Sequence, residues 1–89
     1  MSEVREVLIR CKVTGEGMFP SEVTVEIQTA DGDITLYADK SLLHEESTGL
    51  KATRFSVEHG LAVCLLPTED VDSRWVRIAT QDVQDLQVA

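Results

Sequence analysis

Apolar and polar residues alternate along most of this chain with a period of two, which suits half-buried β-strands and not amphipathic helices. The clearest case flanks Asp31-Gly32. Before that pair Val23, Val25 and Ile27 alternate with Thr24, Glu26 and Gln28, and after it Ile34, Leu36 and Ala38 alternate with Thr35, Tyr37 and Asp39. Asp-Gly between two such runs predicts a hairpin with a two-residue type I′ turn, because both central positions of that turn need positive φ. With Asp31-Gly32 as the loop, Ala30 pairs with Asp33, Ile27 with Leu36 and Val25 with Ala38. Every apolar residue then lies on one face, and Glu26, Gln28, Thr35 and Tyr37 lie on the other. A one-residue slip would put one strand's apolar set in water.

The same pattern places the other strands. Residues 4–13 read as one strand, with Val7, Ile9, Cys11 and Val13 on one face and Leu8 breaking the alternation. Two glycines and Pro20 make 14–21 a loop. Residues 39–52 are irregular: Ser41 is placed to cap one helical turn over 42–45, Gly49 to end it, and Leu42, Leu43 and Leu50 to plug the core. A second hairpin runs through 53–66. A three-residue Glu58-His59-Gly60 loop with a G1 bulge pairs Val57 with Leu61 and Phe55 with Val63, and unites the large side chains. Residues 61–66 are apolar on both faces and belong inside a sheet. Pro67 stops that strand, 67–73 is a polar loop, 74–79 is a further strand, 80–83 a capped or 3₁₀ turn, and 86–88 a closing strand.

Six or seven short antiparallel strands in 89 residues predict one all-β domain, closed as a small barrel so that few edges are left bare. The tail from Trp75 to Val88, a strand, a 3₁₀ turn and a short last strand, resembles the end of an SH3-like barrel. That resemblance implies an SH3-like fold, with an OB-like barrel or a small β-sandwich as the other architectures, and it implies no activity.

Composition narrows the partners. Sixteen acidic residues against eight basic ones give a net charge of −8, and phosphate binding rests on Lys and Arg. A nucleic-acid partner is therefore not expected, although Arg5, Arg10 and Lys12 lie close in sequence. No apolar run approaches the ~20 residues of a membrane span, and residues 1–6 lack the basic-then-apolar order of a secretory signal. Cys11 and Cys64 fall in apolar strand-like runs, where buried, reduced thiols are expected. Together these features predict a cytoplasmic protein.

Groups able to do chemistry are sparse. His44 and His59 have no ligand-spaced partner. The acids at 69–72 lack the spacing and terminal bidentate Glu of a calcium loop. No glycine-rich loop joins a strand to a helix, so a phosphate has no cradle. Nucleophilic catalysis needs a nucleophile, a base and an orienting group held together, and Cys11 and Cys64, the nucleophiles that could serve with His59, sit where the pattern buries them. The expectation is a chain without enzymatic activity or cofactor.

What stands out is aromatic. Alternation turns Trp75 away from Val76 and Ile78, beside Arg77, and turns Tyr37 outward on its strand. Phe19 sits in the 14–21 loop between Glu16 and Glu22, acids suited to a basic, extended peptide. Trp, Tyr and Arg are the commonest hot-spot residues. Trp75, Tyr37, Phe19, Arg77, Glu16 and Glu22 therefore form the predicted surface of a protein-interaction domain or small subunit. Two other readings are a small-molecule or metal binder, or even an enzyme, built from Cys64, His59 and 69–72, and a homo-oligomeric module pairing strand 4–13 with its symmetry mate.

Overall fold

The structure is a computed structural model that describes residues 4–44, 48–66 and 75–86. It is all-β, in nine strands: β1 (Arg5–Arg10), β2 (Lys12–Glu16), β3 (Glu22–Thr29), β4 (Gly32–Asp39), β5 (Leu43–His44), β6 (Gly49–Glu58), β7 (Leu61–Leu65), β8 (Trp75–Ala79) and β9 (Val83–Asp85). They form two antiparallel sheets. The larger has the order β8-β7-β6-β1-β9 with β5 also on β6, and the smaller is β2-β3-β4. The expected closed barrel is thus corrected to two sheets packed face to face. Neither β2 nor β4 pairs with a strand of the larger sheet.

The sheets separate at Cys11. Residues 4–13 are not one strand: the ladder breaks at Cys11, whose N–H donates to Thr48 O at 2.9 Å, and β2 continues in the other sheet. This changes the expected face. Val7 and Ile9 are fully buried, whereas Val13 lies exposed on an edge strand. β1 is flanked by β6 and β9, so the part of 4–13 that lies on a sheet edge is Lys12 and Val13 of β2. Leu8, which breaks the alternation, is buried on the opposite side of β1. A side chain at Gly49 would press on Leu8 Cβ at 3.3 Å, so this glycine opens β6 and makes room for Leu8. It does not end a helical turn. The turn is a 3₁₀ segment over Lys40–Leu42, and its cap is Asp39, which accepts from Ser41 N–H at 2.9 Å. The backbone N–H and hydroxyl of Ser41 hold the Asp39 carboxyl below the ordinary carboxylate range. Leu42 and Leu43 pack against the core as expected, and Leu50 is fully buried within it.

The two hairpins exchange their predicted turns. In the first, Thr29 faces Gly32, Ile27 faces Ile34 and Val25 faces Leu36, so the loop is Ala30-Asp31. Among the described residues His59 is the only non-glycine with positive φ, so Asp31 does not adopt the type I′ conformation; Gly32 alone does the left-handed work, at φ 115°. Thr29 Oγ1 closes the turn, donating to Gly32 O at 2.6 Å and accepting from Asp31 N–H at 3.1 Å. The register differs from the predicted one by two residues. A shift of two preserves the side-chain faces, and Val25, Ile27, Leu36 and Ala38 are buried as the alternation requires.

In the second hairpin, His59 (φ 53°) and Gly60 (φ 78°) form a two-residue loop with positive φ at both positions, and Glu58 faces Leu61. The three-residue loop is therefore wrong. A two-residue loop alone would pair Phe55 with Cys64. The ladder avoids this with a bulge: Ser56 faces Val63 and Arg54 faces Cys64, with Phe55 the extra residue between them. The inward side of β7 is then Ala62 and Cys64, continued by buried Leu66, while Leu61, Val63 and Leu65 point outward and are half-buried.

One core lies between the sheets. Val7, Ile9, Leu50, Cys64 and Ile78 of the larger meet Val25, Ile27, Leu36 and Ala38 of the smaller. The smaller sheet's hairpin turn also docks on the edge of the larger. Ala30 N–H donates to Arg77 O at 2.8 Å, and the Arg77 guanidinium donates to Asp31 Oδ1 at 2.6 Å. At the far end of the core Asp85 accepts from both Arg5, at 2.9 Å, and Arg54, at 3.1 Å, tying β1, β6 and β9 together. The closing strand is Val83–Asp85, after a 3₁₀ turn over Thr80–Asp82. It lies three residues before the predicted 86–88, of which 87–88 fall outside the described residues.

Candidate functional site

The outward side of the larger sheet is built by its register. Paired residues share a face, so Trp75 stands with Leu65, Arg77 with Val63, and Ala79 with Leu61. The bulge turns Phe55 to the same side. Its ring meets Trp75 edge to face, with centroids 4.9 Å apart and planes at 60°, the arrangement that the aromatic quadrupole favours. Trp75 keeps 52% of its surface exposed there. The result is an aromatic platform on an apolar floor of Val63 and Leu65, with Arg77 and the Asp31 carboxylate at its rim. Phe55 was expected among the large residues of the second hairpin; nothing in its spacing tells that a bulge hands it to Trp75.

The other predicted surface residues divide between two places. Tyr37 lies on the outward side of the smaller sheet, paired with Thr24 and 38% exposed. Since both inward faces enclose the same core, Tyr37 and Trp75 look away from each other and share no surface. Phe19, Glu16 and Glu22 are brought together in a shallow hollow of the β2–β3 loop, with Met18 and Lys40. Phe19 is 62% exposed and does not cap the core. Glu22 N–H donates to Phe19 O and Gly17 N–H to Glu22 O, so backbone bonds hold this loop. A side chain at Gly17 would collide with Glu22.

Cys64 and His59 do not meet. Cys64 faces Arg54 from within the core, while His59 is exposed at the hairpin tip beyond Glu58. Burial pushes the Cys64 thiol up to about 11, against the opposing pull of Arg54, and raises Cys11 as well. Both cysteines are buried, where the neutral thiol is a poor nucleophile. Residues 69–72, the remaining part of that reading, lie outside the described residues. Among the described residues no three His, Cys, Asp or Glu side chains gather as a metal site, and no helix is long and apolar enough to cross a membrane. Comparison with protein-family models, curated proteins and solved structures finds no match for this chain.

Proposed function

We propose that this chain is a non-catalytic protein-interaction domain whose partner seats on the Phe55–Trp75 platform of the larger sheet. The observation that carries this reading is the half-exposed Trp75 set edge to face against Phe55 above an apolar floor. A large aromatic held in place by a neighbouring ring has already lost its rotamer freedom, so binding costs little further ordering. The partner is a different protein. At a net charge of −8 two copies repel each other, and a partner with an apolar anchor and basic flanks gains from the same field. An SH3-like use of the strand–3₁₀–strand ending belongs to this proposal only as a local likeness.

Site-directed photo-crosslinking in the native cell tests it. A benzophenone side chain in place of Ser56, beside Phe55, is expected to give one discrete heterologous adduct. That adduct should be lost on Trp75→Ala, and the same probe in place of Thr35 on the smaller sheet should not form it. Failure of the Ser56 probe to crosslink, or an adduct indifferent to Trp75, overturns the reading.

A further inference from the structure

Every sheet edge exposes backbone donors and acceptors that invite another strand, and folded proteins blunt most of them. Here β8 is occupied by the Ala30–Asp31 turn at Arg77. β9 has three residues and β5 two. β2 has five, with a register break between Val13 and Gly15. β4 differs. It runs eight residues, Gly32–Asp39, in unbroken register with β3, and among the described residues nothing pairs with its other edge. Alternate residues of an antiparallel edge strand direct both backbone groups away from the sheet, so this edge presents a regular row of them.

We propose that the outer edge of β4 takes up an extended, basic segment of a partner protein as a fourth strand of the smaller sheet. The charges choose the occupant. Asp33, Thr35, Tyr37 and Asp39 share the outward face of β4, beside Glu22 and Glu26 on β3. Among the described residues none of these four acids is in an ion pair; Lys12 and Arg10 lie near Glu26 and Lys40 near Glu22, and no base lines a hollow with Asp33 or Asp39. A second copy is the wrong strand. Antiparallel β4–β4 pairing about Leu36 sets Asp33 against Asp39 twice, and in-register parallel pairing stacks each acid on itself; like charges placed opposite each other destabilise a pair. A segment with Lys or Arg at alternate positions reverses every one of those contacts. It also lays an aliphatic stem or a cation on the exposed Tyr37 ring. Main-chain bonds supply the affinity and the alternate side chains the selectivity. This site is separate from the Trp75 platform, which faces the opposite way.

The test uses the full chain and the synthetic peptide Lys-Val-Lys-Ile-Lys-Val-Lys, with its Glu-for-Lys counterpart and a version N-methylated at alternate amides. Proton–nitrogen NMR is expected to show the basic peptide shifting β4 amides and slowing exchange of the outward-directed ones by about tenfold or more. Asp33→Lys with Glu26→Lys should weaken binding at least about tenfold, roughly 1.4 kcal/mol, while keeping the native spectrum. Trp75→Ala should leave binding unchanged, so the platform and this edge fail or stand separately. The proposal is overturned if the acidic peptide binds as well, if blocking the peptide's amides costs nothing, if the shifts map to the Trp75 face, or if β4 amides gain no protection.

Discussion

The two outward faces of this sandwich are made by the same alternation and are opposite in kind. Across the smaller sheet the outward positions hold Glu22, Glu26, Asp33, Asp39, hydroxyl residues and a single Tyr37. Across β7 and β8 of the larger sheet they hold Leu61, Val63, Leu65 and Trp75, with Phe55 added by a bulge. A solvated face needs only polar residues at every second position. The larger sheet departs from that rule in adjacent strands, and the departure ends at a half-exposed tryptophan. The comparison separates a polar, acidic face from an apolar, aromatic one, and it can be broken on a single strand. Ile78 and Trp75 both belong to β8, but Ile78 is fully buried and Trp75 is half exposed. Ile78→Ala should lower unfolding stability by ~2–5 kcal/mol. Trp75→Ala should lower it by only about 1–2 kcal/mol, the loss of a partly buried ring pair. Urea denaturation measures both. Equal losses would make Trp75 a core residue and dissolve the platform.

A second test asks which side of β7 is dry. The Cys64 thiol is pushed from an ordinary 9.0 to about 11, so the folded state keeps it neutral after the unfolded chain ionises. The stability this contributes is fully present below pH 9.0 and is lost as pH rises through about 11, an effect on the order of 2 kcal/mol. The difference between the native chain and Cys64→Ala should show that alkaline decline, because the alanine variant lacks the titrating group. No difference in pH dependence would place Cys64 in water and the floor of the platform in the core.

These faces were unequally legible in the amino-acid sequence. The smaller sheet's inward residues survive an error of two in register, because side-chain direction has a period of two. The outward position of Trp75 follows from Val76 and Ile78 by the same rule. Three features do not follow. His-Gly is not among the dipeptides that mark a type I′ turn, so His59-Gly60 carries less signal than Asp31-Gly32, which in fact places only its glycine in that region. The bulge at Phe55 answers a conflict between turn and pattern, and either a longer loop or a bulge resolves that conflict on paper. Finally, closure is a long-range property. Cys11 reads as one more apolar position in an alternating strand, and nothing local marks it as the place where the chain changes sheets and the barrel stays open. Alternation groups Glu22 and Tyr37 with Trp75 for the same reason: it tells which residues face outward, and not which sheet they face outward from.

The turn that fixes the β7 register gives a third test. Gly60 has φ 78° and a side chain there would meet nothing within 4 Å, so Gly60→Ala is resisted by backbone conformation alone. The expected loss is about 1 kcal/mol. Gly15, with open space and no positive φ, should accept alanine with little change. A tolerated Gly60→Ala would mean that the turn does not depend on positive φ at this position and that the β6–β7 register is held elsewhere. Thermal melts together with Trp75 emission distinguish the two outcomes.

The smallest effect concerns the place where the two sheets touch at their edges. Arg77 and Asp31 are joined at 2.6 Å, but their side chains are 54% and 67% exposed. At such exposure solvent screens most of the attraction, so the pair contributes ~0.2–1 kcal/mol and less at high salt. The backbone bond from Ala30 N–H to Arg77 O is untouched by any side-chain change and keeps the turn on β8. A double-mutant cycle with Arg77→Ala and Asp31→Ala should therefore give a coupling under about 1 kcal/mol that vanishes in molar salt. A larger, salt-resistant coupling would mean that the ion pair, and not the backbone bond, is what seals the β8 edge.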